Sequence, residues 1–334
     1  MAAPTKNSSR FTPIYMNKEM NKNREKPETP LTSLYTFTIF IPTFNRAKHL
    51  EETLLSVEKS HFKNFEVIII DDGSSDQTYL VVAEARGKVH YPITYIFQKN
   101  SGKAGAHNTA LQYAQGEFFM NLDAGDFLLP DAMTKLLNKW TSYTEDDSAR
   151  LAGISALCLN EDGKLSGEKY PEGIGNISYL ELESVAPLSG EKRQAIRTEI
   201  LRRFPYPRIP GESHIRPTLI MRRMAHEYKL MWLNEPIQVN VRESDGITAN
   251  IYKYRMENPK GFRLFFLEEI TSNRKYFGKR KLYGDHWRYI MFSLHSGVTF
   301  RQQSKEVQDR LLWVLSIPKG TIKWLIDRYR MKKR

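Results

Sequence analysis

Four short polar segments of this chain carry the side chains that could hold a charged, phosphate-bearing ligand. They are PTFNR (42–46), DDGSSD (71–76), QKNSGKAGAHN (98–108) and DAGD (123–126). Asp123 and Asp126 offer hard oxygen donors of the kind that magnesium or manganese prefers. The same two residues also suit a plain loop that caps a helix. The glycines and Lys103 of NSGKAG could cradle a phosphate with backbone amides, although the spacing is not that of a Walker loop. DDGSSD reads equally as a turn in which Asp76 caps the following helix.

Those segments gain meaning from the elements that precede them. Residues 37–41 (FTIFI) form an apolar, β-branched run. Leu50, Leu54 and Val57 then recur at helical spacing. FEVIII (65–70) has the unbroken apolar character of a strand covered on both faces. Further strands are expected at ITYIF (93–97) and EFFMNL (117–122), with a helix over 105–114 and another opened by Pro130. Strands alternating with helices predict an α/β fold with a mostly parallel central sheet flanked by helices. In such sheets ligands bind beyond the carboxyl ends of the strands. Each of the four polar segments follows a strand, so all four converge on one edge.

Composition narrows the function classes. Of the 334 residues 40% are hydrophobic and 26% charged, which is ordinary for a folded protein. The net charge of +12 favours polyanionic partners: phosphorylated ligands, nucleic acid or an anionic membrane. The single cysteine, Cys158, lies in the apolar run GISALCL and reads as a buried thiol. No apolar stretch approaches the roughly 18 residues of a spanning helix, and no apolar leader opens the chain. Residues 1–33 read as a flexible tail, 34–250 as the α/β domain, and 251–334 as a helical appendage rich in basic and aromatic residues.

The four motifs, FTIFIPTFNR, FEVIIIDDGSSDQT, NSGKAGAHNTAL and EFFMNLDAGDFLLPDAM, resemble the family 2 glycosyltransferases in order and spacing across about residues 36–140. That resemblance implies the GT-A fold of nucleotide-diphospho-sugar transferases. It further implies that Pro42, Thr43 and Asn45 lie along the nucleoside and that Asp72 accepts the uracil imide hydrogen. Lys103, His107 and Asn108 would lie near the nucleotide or diphosphate. Asp123, with Asp126, would hold Mn2+ or Mg2+. The family places its second metal carboxylate where this chain has Gly125, so Asp126 would have to serve after a turn at that glycine.

Breaking a sugar–diphosphate bond builds negative charge on the leaving phosphates, which a divalent ion stabilises. The attacking hydroxyl must lose a proton, so an acceptor-side carboxylate is needed as base. Glu212, in RFPYPRIPGESHIRP, is the expected base, with Glu191 and Asp245 in reserve. Its alternative role is to interact with a helix N-terminus.

Near the C-terminus Ile322, Leu325, Ile326 and Tyr329 form an apolar stripe among basic residues, suited either to a membrane interface or to packing on the domain. The residues together with the family resemblance, which is what implies inversion, therefore predict an inverting transferase that moves a sugar from a nucleotide diphosphate donor, a UDP-sugar, to a saccharide or lipid-linked acceptor in surface polysaccharide synthesis. It would be cytoplasmic and peripheral at the inner face of the membrane, with an anionic membrane surface as partner and no nucleic acid. Nucleotidyl transfer shares the phosphate logic but makes poor use of so distant a base. A non-enzymatic membrane or nucleic-acid binder leaves the four motifs unexplained.

Overall fold

A computed structural model describes residues 14–15, 33–143, 149–242 and 250–332. The expected N-terminal tail, Asp245 and the last two residues otherwise lie outside them.

One sheet organises the molecule. Its strands are β1 (Ile14–Tyr15), β2 (Tyr35–Thr43), β3 (Phe65–Asp71), β4 (Ile93–Phe97), β5 (Gly116–Asn121), β6 (Phe127–Leu128), β7 (Leu151–Asn160), β8 (Lys192–Arg197) and β9 (Lys229–Asn240). They lie in the order β1-β4-β3-β2-β5-β8-β7-β9-β6. The five strands from β1 to β5 across this sheet run parallel, as the alternating pattern predicts. Beyond β5 the pairing turns antiparallel through β8 and β7. Ile14 and Tyr15, within the expected tail, pair with Ile96 and Phe97 at the sheet edge.

Side-chain alternation along the strands creates two apolar layers. Phe37, Ile39 and Ile41 of β2 face one layer with Val67 and Ile69 of β3. That layer is covered by α1 (Ala47–Glu58) through Leu50, Leu54 and Val57, by α2 (Thr78–Ala85) through Val82, and by α4 (Ala132–Trp140) through Met133, Leu136 and Trp140. Pro130 precedes α4 by two residues rather than opening it. Phe40, Ile68, Ile70 and Ile96 face the other layer, under Ala106, Ala110 and Leu111 of α3 (Gly102–Tyr113). All seven residues of β3 are buried, which explains its unbroken apolar character.

Between β7 and β9 lie α5 (Tyr179–Val185), α6 (Thr198–Arg203) and α7 (Thr218–Met224). After β9 every described element is helical: α8 (Ile251–Glu257), α9 (Pro259–Ile270), a short 3₁₀ turn, α10 (Lys279–His295), α11 (Phe300–Glu306) and α12 (Arg310–Lys332). These helices share the core of the sheet. Phe262, Phe265 and Phe266 of α9, Tyr289 and Ile290 of α10, and Trp313 of α12 belong to the same apolar layer as Phe40 and Ile68.

Candidate active site

The loops that follow β2, β3, β4 and β5 are bonded to one another. Asn45 adopts a left-handed backbone with φ of 53°. Its Oδ1 accepts from the Ser75 amide at 2.7 Å, and its own amide donates to Ser74 Oγ at 2.8 Å, so the first loop is pinned to the second. Asp76 joins the same seam, accepting from the Ala47 amide at the start of α1 and from the Thr78 amide at the start of α2. Asp71 accepts from the Ser74 amide and the Tyr95 hydroxyl. Asp72, nearly buried, accepts from Gln98 Nε2 at 2.7 Å, the Ser101 amide at 2.9 Å and the Gly102 amide at 2.7 Å. It thereby fastens the end of β3 to the start of α3. Pro42 is half-buried, while Thr43 is buried with its Oγ1 lacking a protein partner.

Around the end of β5 stands a charged cluster. Lys103 Nζ lies 2.5 Å from Asp123, which also accepts from Asn121 Nδ2 at 3.1 Å. Arg193 Nη2 reaches Asp123 at 3.5 Å, Asp126 at 3.1 Å and Glu191 at 3.1 Å. Asp126 further accepts from Gln238 Nε2 at 3.0 Å and from the Val241 amide at 3.0 Å, and Asn240 Nδ2 donates to Glu191 at 2.8 Å. Burial works against ionisation of Asp123, but Lys103 and Arg193 outweigh it and hold the carboxyl well below its usual range. Asp126 is pushed up to about 6, first by burial and then by the neighbouring Asp123 charge. The Asp123, Asp126 and Glu191 side chains are 33%, 8% and 51% exposed, so Asp126 is the committed one of the three.

Arg193, Gln238 and Asn240 escape motif reading because they come from β8 and β9, far along the chain. The pairing of Met120 with Ala195 is the physical signal. Two residues further along each antiparallel strand, Arg193 arrives beside Leu122, next to Asp123.

Whether a divalent ion suits this set can be judged from its donors. Among the described residues no three His, Cys, Asp or Glu side chains gather as a cation cage. Both Asp126 oxygens are already taken by Arg193, Gln238 and the Val241 amide. Asp123 also has both oxygens engaged, by Lys103, Asn121 and Arg193, but it is the more exposed of the two, and the buried Asn121 Oδ1 and Arg193 Nε beside it lack protein partners. One accessible carboxylate fits an ion that arrives with a diphosphate, since magnesium-like ions are held by one or two carboxylates plus substrate phosphates.

Three expected site residues are instead occupied by the fold. Glu212 accepts from the Lys260 and Gly261 amides, each at 2.7 Å, and so caps the N-terminus of α9 with both oxygens. Asn258 fixes the same segment by accepting from the Ser213 and His214 amides. The ring of His107 packs edge-on against Phe40, Phe119 and Tyr206 at 9% exposure, and burial lowers its pKa to about 3. Asn108 uses both ends of its amide on the backbone of Tyr206. A cavity of about 390 Å³ lies between α3 and the 207–215 segment, lined by Lys99, Ser101, Asn108, Arg208 and Glu212 among others.

Residues 38–150 match the family described as "Glycosyl transferase family 2". Over 169 residues the chain is 32% identical to the GalNAc(5)-diNAcBac-PP-undecaprenol beta-1,3-glucosyltransferase of Campylobacter jejuni, covering 49% of this chain and 52% of that protein. The chain spans about half or less of the length of the curated relatives it matches first. Among solved structures, S. aureus TarS 1-349 in complex with UDP-GlcNAc superposes with a TM-score of 0.56 at 18% identity, covering 85% of this chain and 80% of that one. The mannosyltransferase PcManGT of Pyrobaculum calidifontis, in complex with GDP-Man and Mn2+, gives 0.53 at 19% identity, covering 91% and 86%. Motifs, sheet order and these likenesses agree: residues 38–150 match glycosyltransferase family 2, and the chain is built on the GT-A fold.

Proposed function

We propose that this chain transfers a sugar, with inversion, from a UDP-sugar to a saccharide or lipid-linked saccharide acceptor in surface polysaccharide synthesis, at the inner face of a membrane. The observation that carries the chemistry is the Lys103–Asp123–Arg193 cluster at the mouth of the parallel sheet, bordered by buried polar atoms that await partners. Thr43, Pro42 and Asn45 border the nucleoside, and Asp72, already rigidly held, receives the uracil imide N–H. Lys103 and Arg193 bring positive charge to the diphosphate, where charge develops as the sugar leaves. Asp123 would hold Mn2+ or Mg2+, which would supply Lewis-acid stabilisation of the leaving phosphates. The metal-bound relative PcManGT supports that cofactor.

The base is reassigned. Glu212 spends both oxygens on α9, whereas Glu191 is half exposed beside Arg193 and Asn240. In one displacement the acceptor oxygen bonds to the anomeric carbon and the bond to the diphosphate oxygen breaks. The hydroxyl proton passes to Glu191. Asp126 supports this set by orienting Arg193 and the start of the segment after β9.

A panel of nucleotide sugars assayed for metal-dependent release of nucleotide, with and without acceptor, tests the reading. UDP release that requires Mn2+ or Mg2+ and is lost in Asp123→Ala is the expected result. Turnover undiminished by a strong chelator would remove the metal from the scheme.

A further inference from the structure

The C-terminal helix is two-faced along its whole length. Trp313, Ser316, Gly320 and Asp327 point inward, and Gly320 meets Ile290 of α10 so closely that a Cβ there would collide with it. On the opposite side Leu311, Val314, Leu315, Ile322, Leu325, Ile326 and Tyr329 are exposed, from 38% at Ile326 to 72% at Leu311. The order of this stripe is informative. Leu311, Val314, Leu315 and Pro318 recur eleven residues later as Ile322, Leu325, Ile326 and Tyr329.

An eleven-residue repeat runs at about 3.67 residues per turn, close to that of an undistorted helix. The stripe therefore stays on one side for about 27 Å at a rise of ~1.5 Å per residue. A left-handed coiled coil would need a seven-residue repeat instead.

Charge selects among occupants. At ~100° per residue, Lys319, Lys323 and Arg330 fall along one flank of the stripe and Arg310 and Arg328 along the other. All five are exposed. The Lys319 ammonium lies over the rings of Tyr283 and Trp287 and the Arg328 guanidinium over that of Trp324, so these two charges are held against aromatic faces on either side of the stripe. The one acid of the helix, Asp327, is buried and accepts from the Tyr252 hydroxyl. Two copies apposed stripe to stripe would set basic flank against basic flank. An anionic bilayer satisfies both the stripe and the flanks.

We infer that α12 is a preformed interfacial helix whose 311–329 stripe lies in the headgroup region of an anionic bilayer, with the catalytic domain above it. This rests on the proposed membrane-surface position and specifies the surface that meets lipid.

The full chain is to be sedimented with vesicles of phosphatidylglycerol and phosphatidylcholine, and with phosphatidylcholine alone, at low and high salt. Wild type should bind the anionic vesicles more tightly. Lys323→Gln with Arg330→Gln should weaken binding by about fivefold per residue at low salt and approach wild type at high salt. Leu315→Asp with Leu325→Asp should lose binding at both, with an unchanged melting temperature because both positions are exposed. Wild-type binding that the Asp pair leaves intact would overturn the inference. So would a dimer in sedimentation velocity that the Asp pair dissolves while vesicles are ignored. Turnover on a soluble acceptor, measured alongside, should be the same in all variants. Its absence in wild type would count against the glycosyl-transfer reading without touching the lipid result.

Discussion

Glu191 and Glu212 are the same chemical group with different partners. Glu191→Gln keeps the hydrogen-bonding shape but removes the proton acceptor, so kcat should fall on the order of 10²–10⁴ with little change in donor affinity. Glu212→Gln replaces a charged double acceptor by an amide that can no longer satisfy both α9 amides. It should cost about 1–3 kcal/mol in urea unfolding and leave kcat per folded molecule near wild type. The reverse pattern would restore Glu212 as base. His107 and His214 make a further prediction. Burial lowers their pKa values to about 3 and about 4. The unfolded chain takes up protons below pH ~6.5 while these buried rings do not. Stability is therefore complete above that pH and declines as pH falls from there toward 4, by up to about 1.4 kcal/mol per pH unit for each ring. Denaturant melts from pH 7 to 5 should show this slope. His107→Phe, suited to its aromatic surroundings, should flatten it.

At the scale of elements, the edge where the four loops meet depends on how the start of α3 is held. Gly102 has φ of 74°, its amide donates to Asp72, and a Cβ there would collide with the Ser213 backbone. Gly102→Ala should cost about 1–3 kcal/mol through backbone strain, more where Ser213 cannot retreat. Because the displaced amide belongs to Asp72, KM for the donor should rise together with the loss of melting temperature. An unchanged KM would separate Asp72 from donor binding. The parallel strands were legible in sequence because burial on both faces demands apolar runs such as FEVIII. β8 was not legible. Its KRQAIR segment reads as polar surface, yet it lies between β5 and β7; Arg193 serves the charged cluster, and Gln194 bonds Ser155 of β7.

The whole molecule is more continuous than its sequence pattern suggests. Residues from 251 onward read as an appendage, but α9, α10 and α12 complete the apolar layer over Phe40 and Ile68. Deleting residues 318–334 would remove Gly320 from against Ile290 and uncover buried surface of α10. Thermal unfolding of that truncated chain should shift downward by on the order of 5 °C or more. Point substitutions on the exposed stripe are therefore the cleaner test of lipid contact, since they leave the inward face of α12 intact.

The sequence by itself determined the class of fold, the mostly parallel character of its first half and the four polar loops that follow its strands. These follow from local periodicity and from the chirality and burial of alternating strands and helices. It also determined the resemblance in residues 36–140, because there the chemistry lies in contiguous motifs. Tertiary structure alone decided which carboxylates are open. Asp126, Glu191 and Arg193 meet because antiparallel β8 runs back past β5, and Glu212 is taken by a helix that begins 47 residues later. A carboxylate's role depends on its partners, and partners so distant in the chain leave no mark on the local pattern from which a sequence is read.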